Sequence, residues 1–99
     1  MPRIRSHPGE VLKEEFMGPL KLSANKLSIE LGVPATRIGD IIRAENPRAV
    51  TAGTALRLAR YFGTTPAFWM NLRAAYELSK AEAENGREIA SRVRPRLRA

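Results

Sequence analysis

Apolar residues recur along this chain at the three- and four-residue spacing of amphipathic helices, and proline and glycine fall between the periodic segments. The spacing predicts five helices, over residues 8–17, 24–31, 35–44, 52–62 and 66–85. Suitable N-capping residues precede these segments, namely Ser6 or His7, Ser23, Thr51 and Thr65. Gly32 and Gly63 follow two of them, where a left-handed residue commonly ends a helix. Because no run of alternating β-branched residues suggests a strand, we expect an all-α bundle.

A length of 99 residues allows one domain with one core, since a second core would bury too little surface to be stable. We place the domain at residues 1–85, with residues 66–85 as its last helix, and treat residues 86–99 as a basic tail. The chain has no cysteine and one histidine, His7, which excludes disulfides, thiol catalysis and zinc sites of the Cys/His type. We therefore expect no metal and no cofactor.

Catalysis and membrane insertion are both disfavoured by the residues present. The acid-base candidates are His7, Glu14 and Glu15 at one helix start, and no nucleophile or oxyanion donor accompanies them. No apolar run approaches the roughly 18 residues that cross a bilayer, and the first residues lack the order of a signal peptide. The sequence predicts a cytoplasmic protein that is not an enzyme and has no membrane partner.

The net charge of +7, from 17 Lys and Arg against 10 Asp and Glu, favours a polyanionic partner. The basic excess lies in residues 21–60 and 86–99, whereas the first predicted helix is acidic. Duplex DNA fits this charge better than RNA, because residues 21–60 contain no aromatic side chain that could stack on unpaired bases. Two interpretations of the tail stay open: disorder, because it has little to bury, or an arm that contacts phosphates or a minor groove.

The second and third predicted helices have the organisation of a helix-turn-helix motif. Both are short, and about three residues that include Gly32 join them. Ser28 is a small residue at the point where the next helix must cross closely, while Ile38 and Ile41 form an apolar stripe on that helix. We expect the polar outer face of the third helix to lie in a DNA major groove. The alternative is an ordinary αα-corner with a solvated outer face.

The third helix and its surroundings supply the candidate DNA contacts. The candidates for reading bases are Ala35, Thr36, Arg37 and Asp40. Arg37 comes first, because a guanidinium near the start of this helix can donate two hydrogen bonds to guanine. Asp40 either accepts a hydrogen bond from cytosine or pairs with Arg37 or Arg43 along the helix. The candidates for holding phosphates are Ser23, Asn25, Lys26, Arg43, Arg48 and Thr51, of which Ser23 and Thr51 are also ordinary capping residues.

The fifth helix carries four large side chains, Phe68, Trp69, Leu72 and Tyr76. They suit a core, but a bundle of this size has little capacity for so many, so we expect part of this stripe to form a dimer interface. A dimer also suits DNA recognition, because two half-sites about 34 Å apart double the contact surface of one small domain.

Four stretches carry a resemblance to a known family: residues 6–10 (SHPGE), 31–34 (LGVP), 54–64 (TALRLARYFGT) and 68–72 (FWMNL). Together they resemble the HigA-type antitoxins of the Xre/Cro repressor superfamily, over about residues 3–80. The resemblance implies a lambda-repressor-like bundle that dimerises, binds a palindromic operator in its own promoter, and neutralises a small basic ribonuclease toxin of RelE type. The alternative is a stand-alone, phage-like repressor with no toxin partner.

The sequence departs from this family pattern at three places. Ala24 stands where a polar residue is usual, Gly39 replaces a polar residue of the reading helix, and the loop after Arg43 is longer and lacks the usual glycine. Glycine inside a helix costs about 1 kcal/mol relative to alanine. For the toxin, the acidic face of the first helix is the candidate surface, with plain solvation as its alternative, and its residues are Glu10, Glu14 and Glu15.

Overall fold

The computed structural model describes residues 3–97, and Arg98 and Ala99 of the predicted tail lie outside the described residues. Within that range the chain forms five helices and no strand, as the spacing of apolar residues predicted. Helix α1 is one continuous helix in three segments, Pro8–Val11, Leu12–Met17 and Gly18–Leu20. The others are α2 (Ala24–Leu31), α3 (Thr36–Ile42), α4 (Ala52–Phe62) and α5 (Pro66–Arg92). None of these helices combines the length and the apolar composition needed to cross a membrane.

The predicted caps begin four of the helices. His7, not Ser6, caps α1, because its Nδ1 accepts a hydrogen bond from the Gly9 amide at 2.8 Å. The hydroxyls that accept an amide hydrogen bond at the start of α2, α4 and α5 belong to Ser23, Thr51 and Thr65. Gly32 and Gly63 end α2 and α4 with φ angles of 69° and 74°, the left-handed region in which glycine has no steric penalty.

The cap on α1 makes the stability of the fold depend on pH. Burial of the imidazole lowers the pKa of His7 below its ordinary value of 6.5; Glu77 and Glu10 oppose this shift and Lys80 adds to it. The neutral ring is the form that accepts the Gly9 hydrogen bond. Because the folded-state pKa is the lower one, we expect the free energy of unfolding to be constant above pH 6.5 and to fall as the pH drops from there through the folded-state pKa.

Urea unfolding at a series of pH values between 8 and 5 checks this expectation. His7→Asn is the matched control, because an asparagine side chain also caps helices but does not titrate. The variant should show a flatter profile below pH 6.5 than the wild type. Identical pH profiles for the two proteins would contradict the assignment of the pH dependence to His7.

Helix α1 does not stop before Gly18 and Pro19, so the predicted end at residue 17 was wrong. Pro19 has no amide hydrogen, and in a regular α-helix its ring would collide with the carbonyl group of Glu15. The segment Leu12–Met17 avoids this collision by widening to π-helical turns, in which the Gly18 amide bonds the carbonyl of Lys13, five residues earlier. The helix then ends at Lys21, whose φ angle of 55° is left-handed.

Helix α5 runs to Arg92, well past the predicted boundary at residue 85. The single glycine at position 86 costs too little to break a helix that is rich in alanine, glutamate and arginine. Glu88 supports the last turns through an ion pair with Arg92 at 3.6 Å and a hydrogen bond from Ser91 to its carbonyl at 3.0 Å. The tail is therefore shorter than predicted, and residues 93–97 are non-helical and exposed.

The core lies where α1, α2, α3, α4 and the first half of α5 meet. Its fully buried side chains include Leu12, Leu27, Ile38, Ile41, Leu58 and Trp69. The ring of Phe16 packs against those of Phe62 and Trp69, with centroids 5.0 and 5.1 Å apart. The indole N–H of Trp69 donates to the Thr64 hydroxyl at 2.8 Å, so the largest buried side chain has no unsatisfied polar atom.

The start of α1 sits directly against the end of α3. Gly9 is buried, and a Cβ atom added there would overlap the backbone carbonyl of Ile41. Glycine is therefore required at position 9 by the close approach of two backbones, and this contact fixes where the last turn of α3 lies.

Candidate nucleic-acid interface

Helices α2 and α3 form the predicted helix-turn-helix. Ser28 is fully buried between them, its hydroxyl donates to the Ala35 carbonyl at 3.2 Å, and its own carbonyl accepts from the Val33 amide at 3.0 Å. Ile38 and Ile41 of α3 are fully buried against the body of the protein. The opposite side of α3 consequently faces outward.

The outward side of α3 is made of small residues. Ala35 and Thr36 are exposed, and a Cβ atom added at Gly39 would have no neighbour within 4 Å. The structure thus places Ala35 and Thr36, two of the four predicted base-reading residues, where an object in front of the helix can reach them.

Arg37 lies on the flank of α3 instead. It is half-buried, and its Nη1 donates a long hydrogen bond of 3.4 Å to the hydroxyl of Thr54 on α4. Its Nε is buried with no hydrogen-bond partner among the described residues. Arg37 follows outward-facing Thr36, and successive residues of a helix are rotated by about 100°. This rotation directs the Arg37 side chain toward α4. The structure does not bring Arg37 onto the outward face as the sequence prediction required.

Asp40 pairs with Arg43, one of the two alternatives predicted for it, with 3.3 Å between the carboxylate and Nη1. Arg43 also donates from Nε to the carbonyl of Asn46 at 2.9 Å, and the Arg48 amide donates to the Asp40 carbonyl at 2.8 Å. Asn46 has a left-handed φ of 47°, which asparagine tolerates better than most residues. Asn46 therefore supplies a left-handed turn in the loop after α3.

These contacts end α3 at Ile42, two residues before the predicted end. Arg43 is already extended, with a ψ angle of 149°, so it belongs to the loop and not to the reading helix.

The predicted phosphate contacts are all exposed, and they are Ser23, Asn25, Lys26, Arg43, Arg48 and Thr51. Lys26 also forms an ion pair with Glu30 at 3.5 Å, which at this exposure contributes little. The Thr51 hydroxyl accepts from the Thr54 amide at 3.4 Å and donates to the Thr54 hydroxyl at 3.3 Å. Thr51 is thus engaged as a cap, the role that competed with phosphate binding in the sequence prediction.

Two arginines that the sequence did not single out hold this surface in place. Arg57 donates to the carbonyl of Leu31 at the end of α2, at 2.6 Å. Arg73 donates to the carbonyl of Val50 just before α4, at 3.1 Å, and pairs with Glu77 at 2.9 Å. Both partners are backbone carbonyls distant in sequence, so no local pattern could have indicated either role.

The stripe predicted for the dimer interface faces the core of its own protomer. Trp69 is fully buried, which removes it from the side chains that a second copy could contact. Leu72 and Tyr76 are half-buried, and the Tyr76 ring lies edge-on to His7 at 4.8 Å between centroids. Phe68 keeps 36% of its surface exposed.

The predicted acidic surface is present on α1. Glu10, Glu14 and Glu15 are exposed, and the first two line a cleft of about 400 Å³ between α1 and the loop after α3. Lys13 and Arg43 line the same cleft, so its charges are mixed and not uniformly acidic.

The buried crossing of two short helices, the outward face of α3 and the left-handed turn at Gly32 define a helix-turn-helix protein. No family profile matches the sequence. An addiction-module antidote protein of the HigA family from Coxiella burnetii has the same fold: it is 44% identical, with a TM-score of 0.85 over 95% of this chain and 100% of that one. The chain belongs to the HigA family of antitoxins.

Two further proteins are similar to this chain over most of their lengths. The antitoxin HigA of Pseudomonas aeruginosa, solved with the higBA promoter, is 40% identical with a TM-score of 0.87, over 98% of this chain and 100% of that one. Virulence-associated protein I of Dichelobacter nodosus is 48% identical over 84 residues, which are 85% of this chain and 74% of that protein.

Proposed function

We propose that the protein binds a palindromic operator in its own promoter as a homodimer, with α3 in the major groove, and thereby represses its own operon. The observation that carries the proposal is the exposed outer face of α3, accompanied by the exposed basic residues Lys26 on α2 and Arg48 in the loop after α3, which can contact phosphates. The solved complex of the P. aeruginosa relative with promoter DNA supports it.

Gel shifts on the DNA upstream of the gene test this proposal. Arg48→Ala should weaken binding to every sequence and reduce the slope of log K against log salt by about 1.8, as expected for one lost phosphate contact in each of the two protomers of the dimer. Arg60→Ala is the control, because this exposed arginine lies near the other end of α4. Equal salt slopes for all three proteins would rule out Arg48 as a phosphate contact, and no shift with wild type would refute operator binding.

For the dimer we propose the outward face of α5, opposite the core. The exposed small or apolar residues on this face are Ala67, Ala74, Leu78, Ala81 and Ile89, and the exposed amides of Asn71 and Asn85 lie among them. Leu78 and Ile89 expose 72% and 52% of their surfaces, although leucine and isoleucine are usually buried. If two copies paired through this face, Leu78 and Ile89 of each copy would be covered, as happens in an isologous interface.

Two substitutions separate core from interface on this helix. Leu78→Glu should give a folded monomer, because it places a charge on the dimer face only. Leu72→Glu should unfold the chain, because Leu72 packs against the core. Sedimentation equilibrium with circular dichroism measures both properties. A Leu78→Glu protein that remains dimeric would move the interface elsewhere.

We also propose that the protein neutralises a small basic ribonuclease toxin of RelE type encoded beside it. Membership of the HigA family supports this, and the exposed carboxylates of α1 have the charge that a basic partner requires. Both proposed partners, duplex DNA and a ribonuclease, place its action in the cytoplasm. The variant that tests this surface replaces all three of its carboxylates with glutamine, at Glu10, Glu14 and Glu15.

Co-expression with the neighbouring gene tests this second activity. Wild type should co-purify with the toxin and relieve growth arrest, and the triple variant should do so less well. Glu30→Gln with Glu45→Gln, outside α1, should bind as wild type does. If no neighbouring product co-purifies while the operator is still bound, the protein is a stand-alone repressor.

A further inference from the structure

The charged side chains of α3 and its C-cap that could read guanine or cytosine are engaged in contacts within the protein. Arg37 is held on the flank by Thr54, 3.4 Å away. The Asp40 carboxylate and the Arg43 guanidinium satisfy each other at 3.3 Å, and Arg43 is further tied to the Asn46 carbonyl. Arg37 is therefore held toward α4, while the Asp40 and Arg43 side chains partly occupy each other and keep 34% and 52% of their surfaces exposed.

The small residues in front of the helix present methyl groups, the Thr36 hydroxyl and backbone. Ala35 contributes its Cβ, Thr36 its γ-methyl group, and Gly39 leaves an opening in which an added Cβ would have no neighbour within 4 Å. Gly39 lies three residues after Thr36 and four after Ala35, so all three fall on one side of the helix. An approaching base can therefore come closer to the backbone of α3 at Gly39 than at any residue with a side chain.

In the major groove, one base edge differs from the rest by an apolar group. Thymine carries a C5-methyl, which pairs with alanine, the threonine methyl or other apolar contacts. A shallow surface with a gap of methyl size suits this group, and among its three residues the Thr36 hydroxyl is the one side-chain group that can also form a hydrogen bond with a base.

We propose that the Ala35, Thr36 and Gly39 surface reads thymine methyl groups, so that the half-site bound by α3 is specified chiefly by its thymines. The inference rests on the proposed operator binding and names the chemistry by which that same surface selects its DNA. Gly39 becomes a specificity residue, because the thymine methyl occupies the space that a side chain would fill.

Deoxyuridine substitution tests the inference by removing only the methyl groups. The DNA upstream of the gene is prepared with dTTP or with dUTP, and the dissociation constants of wild type for the two are compared. A buried methyl contributes about 0.8 kcal/mol, or about fourfold in affinity. One contact in each of two half-sites therefore predicts binding about fifteenfold weaker to the uracil DNA.

A second variant locates the contact. Gly39→Ala adds a methyl where the protein has open space, so it should fold and yet bind thymine DNA more weakly. The variant should lose less affinity for uracil DNA, because the added methyl fills the space left by the missing thymine methyl. Its preference for thymine over uracil DNA, as a ratio of affinities, should therefore be at least threefold smaller than that of wild type. Gly53→Ala, also in open space but on α4, should leave that ratio unchanged.

Each outcome is decisive. Equal binding of wild type to thymine and uracil DNA would overturn the inference while leaving operator binding intact. A wild-type preference for thymine that Gly39→Ala leaves unaltered would remove the contact from this surface. Absence of binding to either DNA would instead refute the proposed function.

Discussion

Replacing Gly9 with alanine should lower the free energy of unfolding by about 2–3 kcal/mol and weaken DNA binding at least tenfold. The added Cβ would overlap the Ile41 carbonyl, which is backbone and cannot turn aside as a side chain would. Overpacking of this kind costs about 1–3 kcal/mol, out of the 5–15 kcal/mol that stabilises a typical domain. The displaced carbonyl belongs to the last turn of α3, so relief of the overlap moves the reading helix.

Urea unfolding followed by circular dichroism measures the stability of Gly9→Ala. Gel shifts at low temperature and without urea measure DNA binding by its folded fraction. Gly53→Ala is the matched control, since it makes the same substitution in a helix where nothing lies within 4 Å of the new atom. The control should be as stable as wild type or slightly more so. If Gly9→Ala unfolds and binds like the control, the contact with Ile41 does not position α3.

Truncating Trp69 to alanine should cost about 3–5 kcal/mol, enough to leave much of the chain unfolded at 37 °C. Its side chain is the largest that is fully buried, and it joins α5 to α1 through the Phe16 ring. Because this is the one tryptophan of the sequence, unfolding must be followed by circular dichroism and not by its fluorescence.

A double-mutant cycle separates the packing of Trp69 from its hydrogen bond. Thr64→Val should cost about 1–3 kcal/mol, because it leaves the buried indole N–H without its acceptor. Trp69→Phe removes that donor, so adding Thr64→Val to it should cost clearly less than Thr64→Val alone. Additive losses would mean that the 2.8 Å hydrogen bond contributes nothing to stability.

Most of the architecture could be predicted from the sequence because residues close to each helix end determine where most of the helices begin and end. Each capping hydroxyl acts on an amide three residues away, and the left-handed turn at Gly32 needs no distant partner. Two of the errors in helix length, those of α1 and α5, arose where a residue that usually ends helices did not. Pro19 was accommodated by π-helical turns, and Gly86 by the strong helix propensity of its neighbours.

The candidate site was predicted in place but not in detail. The apolar stripe of α3 showed which side faces the body, and Thr36 is exposed as expected. The flanking position of Arg37 depends on Thr54, 17 residues later, and the hold of Arg73 on Val50 spans 23 residues. Contacts of that kind follow from the packing of whole helices, and a local pattern of residue types carries no trace of them.

The brevity of α3 has a consequence for how long the DNA-reading surface can persist. An isolated helix of seven residues is not stable in water, since helices below about 12 residues are marginal even in favourable sequences. Contacts with Gly9 and Ser28 and the burial of its own isoleucines stabilise α3. If α3 reads DNA as proposed, a cut in α1 or the loss of α2 would therefore end DNA recognition together with the order of this helix.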